Sequence, residues 1–173
     1  EQLNQINEKA ATIIEKLKQR VPGITGVDSK VTEEGRVLLR FQDGAFQDPF
    51  LARHVSDGTI KMFAYLVLLH DPKPHPLLCV EEPENQLYPR LLAELAEEFR
   101  DYARKGGQVF ISTHSPDFLN ACELEEVFWL QKADGYTIIK RASEDQQIKA
   151  YMEDGDKLGH LWRQGFFGGA DPL

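Results

Sequence analysis

Two stretches of the sequence end in side chains able to handle a cation and a nucleophile together. The first, Leu77-Leu78-Cys79-Val80-Glu81-Glu82-Pro83-Glu84-Asn85, sets adjacent carboxylates directly after an apolar run. The second, Val109-Phe110-Ile111-Ser112-Thr113-His114-Ser115-Pro116, ends in a histidine flanked by hydroxyls. Successive side chains of an extended segment point to opposite sides, so one of Glu81 and Glu82 can face a metal while the other faces a water. Mg²⁺ takes hard oxygen ligands and keeps several waters, so a single carboxylate, direct or through water, is enough to hold it. The second carboxylate is then free to orient and deprotonate the attacking water, a division of labour that suits nucleotide hydrolysis.

The surrounding pattern says what must position these groups. Reactive side chains of open α/β sheets gather beyond the carboxyl ends of the strands. Residues 77–80 and 109–111 read as short, wholly buried strands, and Pro83 ends the first because it lacks an N–H. A helix at 89–105, with Leu92, Leu95, Ala96 and Phe99 on one side, lies between them and stops at Gly106-Gly107. Another helix starts at Ser56, with Ile60, Phe63, Ala64, Val67 and Leu68 on one face, and ends before Asp71-Pro72-Lys73-Pro74. This order of helix, strand, helix, strand predicts parallel strands with helices packed on the sheet.

Upstream, Leu3, Ile6, Ala10, Ile13, Ile14 and Leu17 mark an amphipathic helix that stops at Pro22-Gly23. Strands at 27–32 and 37–41 turn at Glu34-Gly35, and 42–55 reads as irregular. Downstream, strands at 127–131 and 136–140 form a hairpin at Asp134-Gly135, and 157–167 is helical before Gly168-Gly169. The expected fold is α/β, a mostly parallel sheet with flanking helices and a β-hairpin near the carboxyl end.

At 173 residues, 42% hydrophobic and 28% charged, the chain has the composition of one globular domain spanning 1–173. Its net charge of -8 and pI near 5.1 argue against a surface that binds nucleic acid by neutralising phosphates. Two cysteines, one of them (Cys79) inside a run that reads as a buried strand, fit a reducing cytoplasm. No apolar run approaches the ~20 residues that span a bilayer. The start at Glu1 rather than Met fits residues cut from something longer.

The apolar run leading into EEPEN resembles the Walker B segment of ABC-type ATPases, and FISTHS resembles their switch-histidine segment. Ser56-Asp57-Gly58-Thr59, before a long apolar helix, resembles the signature segment. With Leu87-Tyr88-Pro89 following, the motifs are similar to the RecF, SMC and OLD-like branch of the AAA ATPases, whose members act in DNA maintenance and phage defence. The resemblance runs from Ser56 to about Leu130, and it implies a P-loop NTPase-like, ABC-type lobe that works with ATP and Mg²⁺.

Carried over by position, Glu81 is implied as the Mg²⁺-side acid, Glu82 as the catalytic base and His114 as the γ-phosphate sensor. Residues 85–89 match the loop at the dimer interface. Ser56, Asp57, Gly58 and Thr59 match the segment that caps the ATP of a second head, where free N–H groups and the helix dipole favour phosphate. The family's metal-side acid is usually Asp, and Asp57 stands where its signature usually has glycine. No GxxxxGK followed by Ser or Thr occurs, and Gly23-Ile24-Thr25-Gly26 has neither the length nor the lysine. The Walker A lobe is therefore expected in an omitted amino-terminal part or a separate polypeptide, and this chain alone is expected to be nearly inactive. The implied partner is a second copy of the head with its Walker A lobe; any DNA contact would come through parts outside this chain, and no membrane is implied.

Plainer readings accompany these. Glutamates at strand ends are usually solvated, and Ser56 makes an ordinary helix N-cap, with Asp57 favouring the dipole by ~0.3–1 kcal/mol. Trp162, Phe166 and Phe167 fit a core or docking element, and Arg100, Arg104 and Lys105 fit a helix end. Two rival functions are a non-catalytic dimerisation module and a metal-dependent nuclease using Glu81, Glu82, Asp154 and Asp156, although Asp154-Gly155-Asp156 reads better as a surface turn.

Overall fold

The computed structural model describes residues 2–168 and 170, with side chains described from residue 8; the side chains of Leu3 and Ile6, and Gly169, lie outside the described residues. Helix α1 (Gln2–Arg20) buries Ile13 and Leu17, one turn apart, before the chain turns at Gly23. Strands β1 (Ile24–Val31) and β2 (Val37–Asp43) pair antiparallel through the expected hairpin. Residues 42–55, expected to be irregular, hold the edge strand β3 (Phe50–Leu51) and a single 3₁₀ turn, Ala52–His54. β3 pairs only Arg40 with Leu51 and Phe41 with Phe50, a contact too short to leave a period in the sequence.

Helix α2 (Asp57–Leu69) begins at the Ser56 cap, whose Oγ accepts from the Thr59 N–H at 3.2 Å. Its buried residues are Thr59, Met62, Leu66 and Leu69, whereas Ala64 and Val67 of the expected face are exposed. The helix is apolar nearly all round, so packing against α1 and α3, rather than its own period, selects the inward side. Helix α3 (Leu92–Arg104), entered through a 3₁₀ turn at Pro89–Leu91, buries Leu92, Leu95, Ala96 and Phe99 as expected.

Strands β4 (Leu77–Glu81) and β5 (Gln108–Ser112) pair in parallel, from Leu77 opposite Gln108 to Glu81 opposite Ser112. They are not wholly buried. Val80 and Ile111 turn inward against the core, while Leu77 and Phe110 are 53% and 56% exposed and Cys79 is also exposed. This pair is the parallel component of the fold; the sheets β1–β2–β3 and β6–β7 are antiparallel.

After the one-turn helix α4 (Pro116–Leu119), strands β6 (Phe128–Ala133) and β7 (Tyr136–Arg141) form the expected hairpin. Asp134 and Gly135 both have positive φ, 51° and 82°, as a two-residue turn matching strand twist requires. Two helices follow, α5 (Gln146–Glu153), which was not expected, and α6 (Leu158–Arg163), shorter than the expected 157–167. Gly159 admits α6 against α4, since a Cβ there would lie 1.9 Å from the Pro116 carbonyl oxygen. Val127, Trp129, Ile148, Leu161 and Phe167 form a second core, which Cys122 joins to the first. Phe167 is thus a core residue, edge-on to Trp129.

Arg100 does more than balance a helix dipole: it grips Glu126 with two hydrogen bonds of 2.7 and 2.9 Å and donates to the Ala121 carbonyl. The helices around the first core share one buried carboxylate. Glu98 of α3, 3% exposed, accepts from Lys16 and Arg20 of α1 and from His70 at the end of α2. Burial holds the His70 imidazole below its ordinary pKa, although the charge and hydrogen bond of Glu98 pull the other way. Burial also pushes Glu98 upward, but the Lys16 hydrogen bond and the Arg20 charge outweigh it and leave its carboxyl below the ordinary glutamate value.

Replacing Glu98 with Gln would leave the largely desolvated Arg20 with only the half-exposed Glu94, 3.0 Å from its Nε, and urea unfolding should show a loss of about 3 kcal/mol, the low end for a broken buried pair because Lys16 is partly solvated and Arg20 keeps this second partner. A lowered folded pKa means the stabilisation is complete above the unfolded glutamate value and disappears as pH falls through the folded one. The gap between wild type and Glu98→Gln should therefore close only under acidic conditions below the ordinary glutamate range.

Candidate functional site

The parallel pairing brings the two reactive segments to one sheet edge. Beyond β4 the Glu82 N–H donates to the Ser112 carbonyl at 2.8 Å, extending the ladder by one bond. Glu82 then takes a φ of +43°, rare for a side chain other than glycine, and Pro83 is buried beneath the turn. The turn closes through the Asn85 N–H to the Glu82 carbonyl at 3.2 Å and the Leu87 N–H to the Glu84 carbonyl at 3.0 Å.

Glu82 and His114 meet here, with Oε1 of the first 3.9 Å from Nε2 of the second. Asn85 Nδ2 donates to the other Glu82 oxygen at 2.6 Å, fixing the carboxylate's orientation. His114 is 80% exposed and Glu82 40%, so both face open space rather than an apolar wall. Glu81 is exposed on β4 in phase with Leu77 and Cys79.

Glu84 is a site residue that sequence reasoning missed. Its Oε1 accepts from Thr113 Oγ1 at 2.5 Å and from the His114 N–H at 3.3 Å. Thr113 Oγ1 in turn accepts from the Ser115 N–H at 3.0 Å, so His114 sits between two anchored neighbours. Glu84 Oε2 is buried with no hydrogen-bond partner among the described residues. Burial, and then the charge of Glu84, raises the pKa of Tyr65. The repeat Glu82-Pro83-Glu84 was the available signal, because a proline turn sends the two carboxylates into different surroundings.

Ser56, Asp57, Gly58 and Thr59 do not join this cluster. They line a separate cavity of about 670 Å³ with Gln86, Tyr88, Arg90 and the end of α1. The structure thus brings Glu82 and His114 together and sets residues 56–59 apart from them. The helix tip meets the far end of the Glu82 turn: a Cβ on Gly58 would lie 2.5 Å from the Gln86 carbonyl oxygen, so glycine is needed for the approach. Ser56 Oγ and Thr59 Oγ1 are 2.8 Å apart.

Among the described residues no group of three or more His, Cys, Asp or Glu side chains is arranged to hold a metal, so Asp154 and Asp156 do not join Glu81 and Glu82 as the nuclease reading needs. They flank a turn in which Gly155 has a φ of 98°. No helix among the described residues is long and apolar enough to cross a membrane.

A parallel pair with acids at one strand end and a histidine at the next places its reactive groups where open α/β sheets gather them. Residues 3–120 match the family described as "AAA domain, putative AbiEii toxin, Type IV TA system", and the chain belongs to that family. No protein of curated function matches the sequence. Among solved structures, an SmcHead bound to the C-winged helix domain of ScpA is 15% identical with a TM-score of 0.63, covering 82% of this chain and 44% of that one. A Pyrococcus furiosus Smc head domain, with an extended coiled coil and bound to the C-terminal domain of ScpA, is 11% identical with a TM-score of 0.61, covering 86% and 38%. A structure from work on ATP-driven dimerization and DNA stimulated activation of SMC ATPases is 15% identical with a TM-score of 0.57, covering 86% and 92%. The chain has the fold of SMC ATPase heads, and it spans less than half of two of these three chains.

Thr113→Val keeps the side-chain shape but removes the hydroxyl that Glu84 accepts from. A hydrogen bond to a charged group is worth about 1.5–3 kcal/mol, and chemical denaturation of the variant should show a loss in that range.

Proposed function

We propose that this chain supplies the hydrolytic half of an AAA-type ATPase head that closes as a dimer around ATP, with the phosphate loop contributed by a lobe outside these residues. The observation that carries the reading is the 3.9 Å approach of Glu82 and His114 beyond two parallel strands. Glu82 acts as the general base: Asn85 holds one of its oxygens, and the other faces His114, where it can orient a water and accept its proton. His114, anchored through its flanking residues and open to solvent, donates a hydrogen bond to the terminal phosphate.

Glu81 offers hard oxygen donors at an exposed strand end, a chemistry that fits Mg²⁺. Bound there, the ion would offset phosphate charge. Ser56 to Thr59 cap the nucleotide held by a second head, using Ser56, Thr59 and the amino end of α2. That division explains why the helix tip lines its own cavity instead of the Glu82 cluster: each half-site is completed by another copy. ATP binding would draw two heads together and hydrolysis would release them, a nucleotide-gated clamp in the cytoplasm. The process proposed is DNA maintenance or phage defence; the DNA stimulated activation named for one structural neighbour supports the first. The net charge of -8 assigns any DNA contact to other parts of the protein.

In the ATPase assembled with its phosphate-loop lobe, Glu82→Gln should slow turnover by ~10²–10⁴-fold and leave ATP binding largely intact. Normal turnover in that variant would remove Glu82 from the role. The 173-residue chain alone should bind ATP more weakly than micromolar in calorimetry, because most phosphate contacts come from the missing loop.

A further inference from the structure

We propose that Lys61 is a positioning residue that fastens the turn carrying Glu82 to the helix tip formed by Ser56 to Thr59, so that base and cap move as one body. The inference rests on the reading of Glu82 as the base. Lys61 follows the tip closely in α2, and its ammonium donates to the Asn85 carbonyl at 2.8 Å and to the Glu82 carbonyl at 3.4 Å. Its Nζ also lies 5.8 Å from the centre of the Tyr65 ring, which steadies a cation on that side. A lysine serving only solubility would extend into water; this one is partly buried and spends its donors on main-chain oxygens.

The turn needs such a hold. Glu82 and Gln86 both sit in the left-handed region, with φ of 43° and 66°, a strained conformation for such side chains that persists only where their surroundings hold it. Lys61 grips the interior of the turn, and Gly58 abuts its far end at the Gln86 carbonyl. Both contacts come from the start of α2. A ligand that presses on Ser56 to Thr59 would therefore shift the backbone on which Glu82 stands, giving the cap on one nucleotide a direct mechanical route to the base acting on another.

The test has two arms. In the 173-residue chain, hydrogen exchange should show the Asn85 and Leu87 amides opening roughly tenfold faster in Lys61→Met, the worth of one charge-assisted hydrogen bond, with Phe110 and Ile111 in β5 unchanged. Lys61→Arg should restore slow exchange. Unchanged exchange at Asn85 and Leu87 in Lys61→Met overturns the proposal, as does acceleration spread evenly over the chain; if Lys61→Met does not fold, Lys61→Gln is read the same way. In the assembled ATPase, Lys61→Met should lower kcat roughly tenfold with KM within about twofold, and Lys61→Arg should recover most of it. A raised KM with kcat intact overturns the positioning role. Faster exchange in the variant beside a wild-type assembly that hydrolyses no ATP would uphold the fastening and refute the ATPase reading.

Discussion

Two strands that run in parallel must finish at the same edge, and the site depends on that geometric fact. The β4–β5 ladder fixes the register from Leu77 opposite Gln108 to Glu81 opposite Ser112, and the Glu82 N–H adds one more bond to the Ser112 carbonyl. Within two residues of that last bond the chain reaches His114. Shifting the register by one residue would turn every side chain of β4 over, taking Glu81 from the exposed side and Val80 from the core. The apolar inward positions, Leu78, Val80, Val109 and Ile111, therefore fix where the polar ones land.

Beyond the ladder, polar contacts take over from packing. Glu84 accepts from the Thr113 hydroxyl and the His114 N–H, tying the acidic turn to the histidine loop, and leaves its second oxygen buried without a partner. Such an oxygen costs stability in a core chosen only for folding. Tyr102 sets the entry to β4 at the other end, its hydroxyl accepting from the His75 N–H and donating to the His75 carbonyl. The strand is thus held at both ends by side chains of other segments.

Much of this was readable from the chain. Helices α1 and α3 announce themselves by period and by Pro or Gly stops, α2 by its apolar run and the stop at Pro72 although its inward face differs from the expected one, and both hairpins by Glu34-Gly35 and Asp134-Gly135. Glu82 and His114 were legible because apolar runs end in them. Other features follow from contacts that leave no local mark. β3 is two residues long, and α5 buries only Ile148, so neither writes a stripe, although the Asp145 cap of α5 was a usable cue. The open face of β4–β5 was read as buried because Leu77, Cys79 and Phe110 are apolar, and composition does not say which side receives a cover. Glu84 meets Thr113 from 29 residues away and Lys61 meets Asn85 from 24, distances at which spacing rules are silent.

The two thiols occupy unlike surroundings. Cys122 is partly buried between the cores, where burial pushes its pKa to about 11, whereas Cys79 is exposed on β4 in phase with Glu81. Thiolate, not thiol, is the reacting species, so an alkylating dye will choose Cys79. A fluorophore placed there without engineering would stand two residues from Glu81, on the same side of the strand, and its emission would report whatever comes to rest on that face.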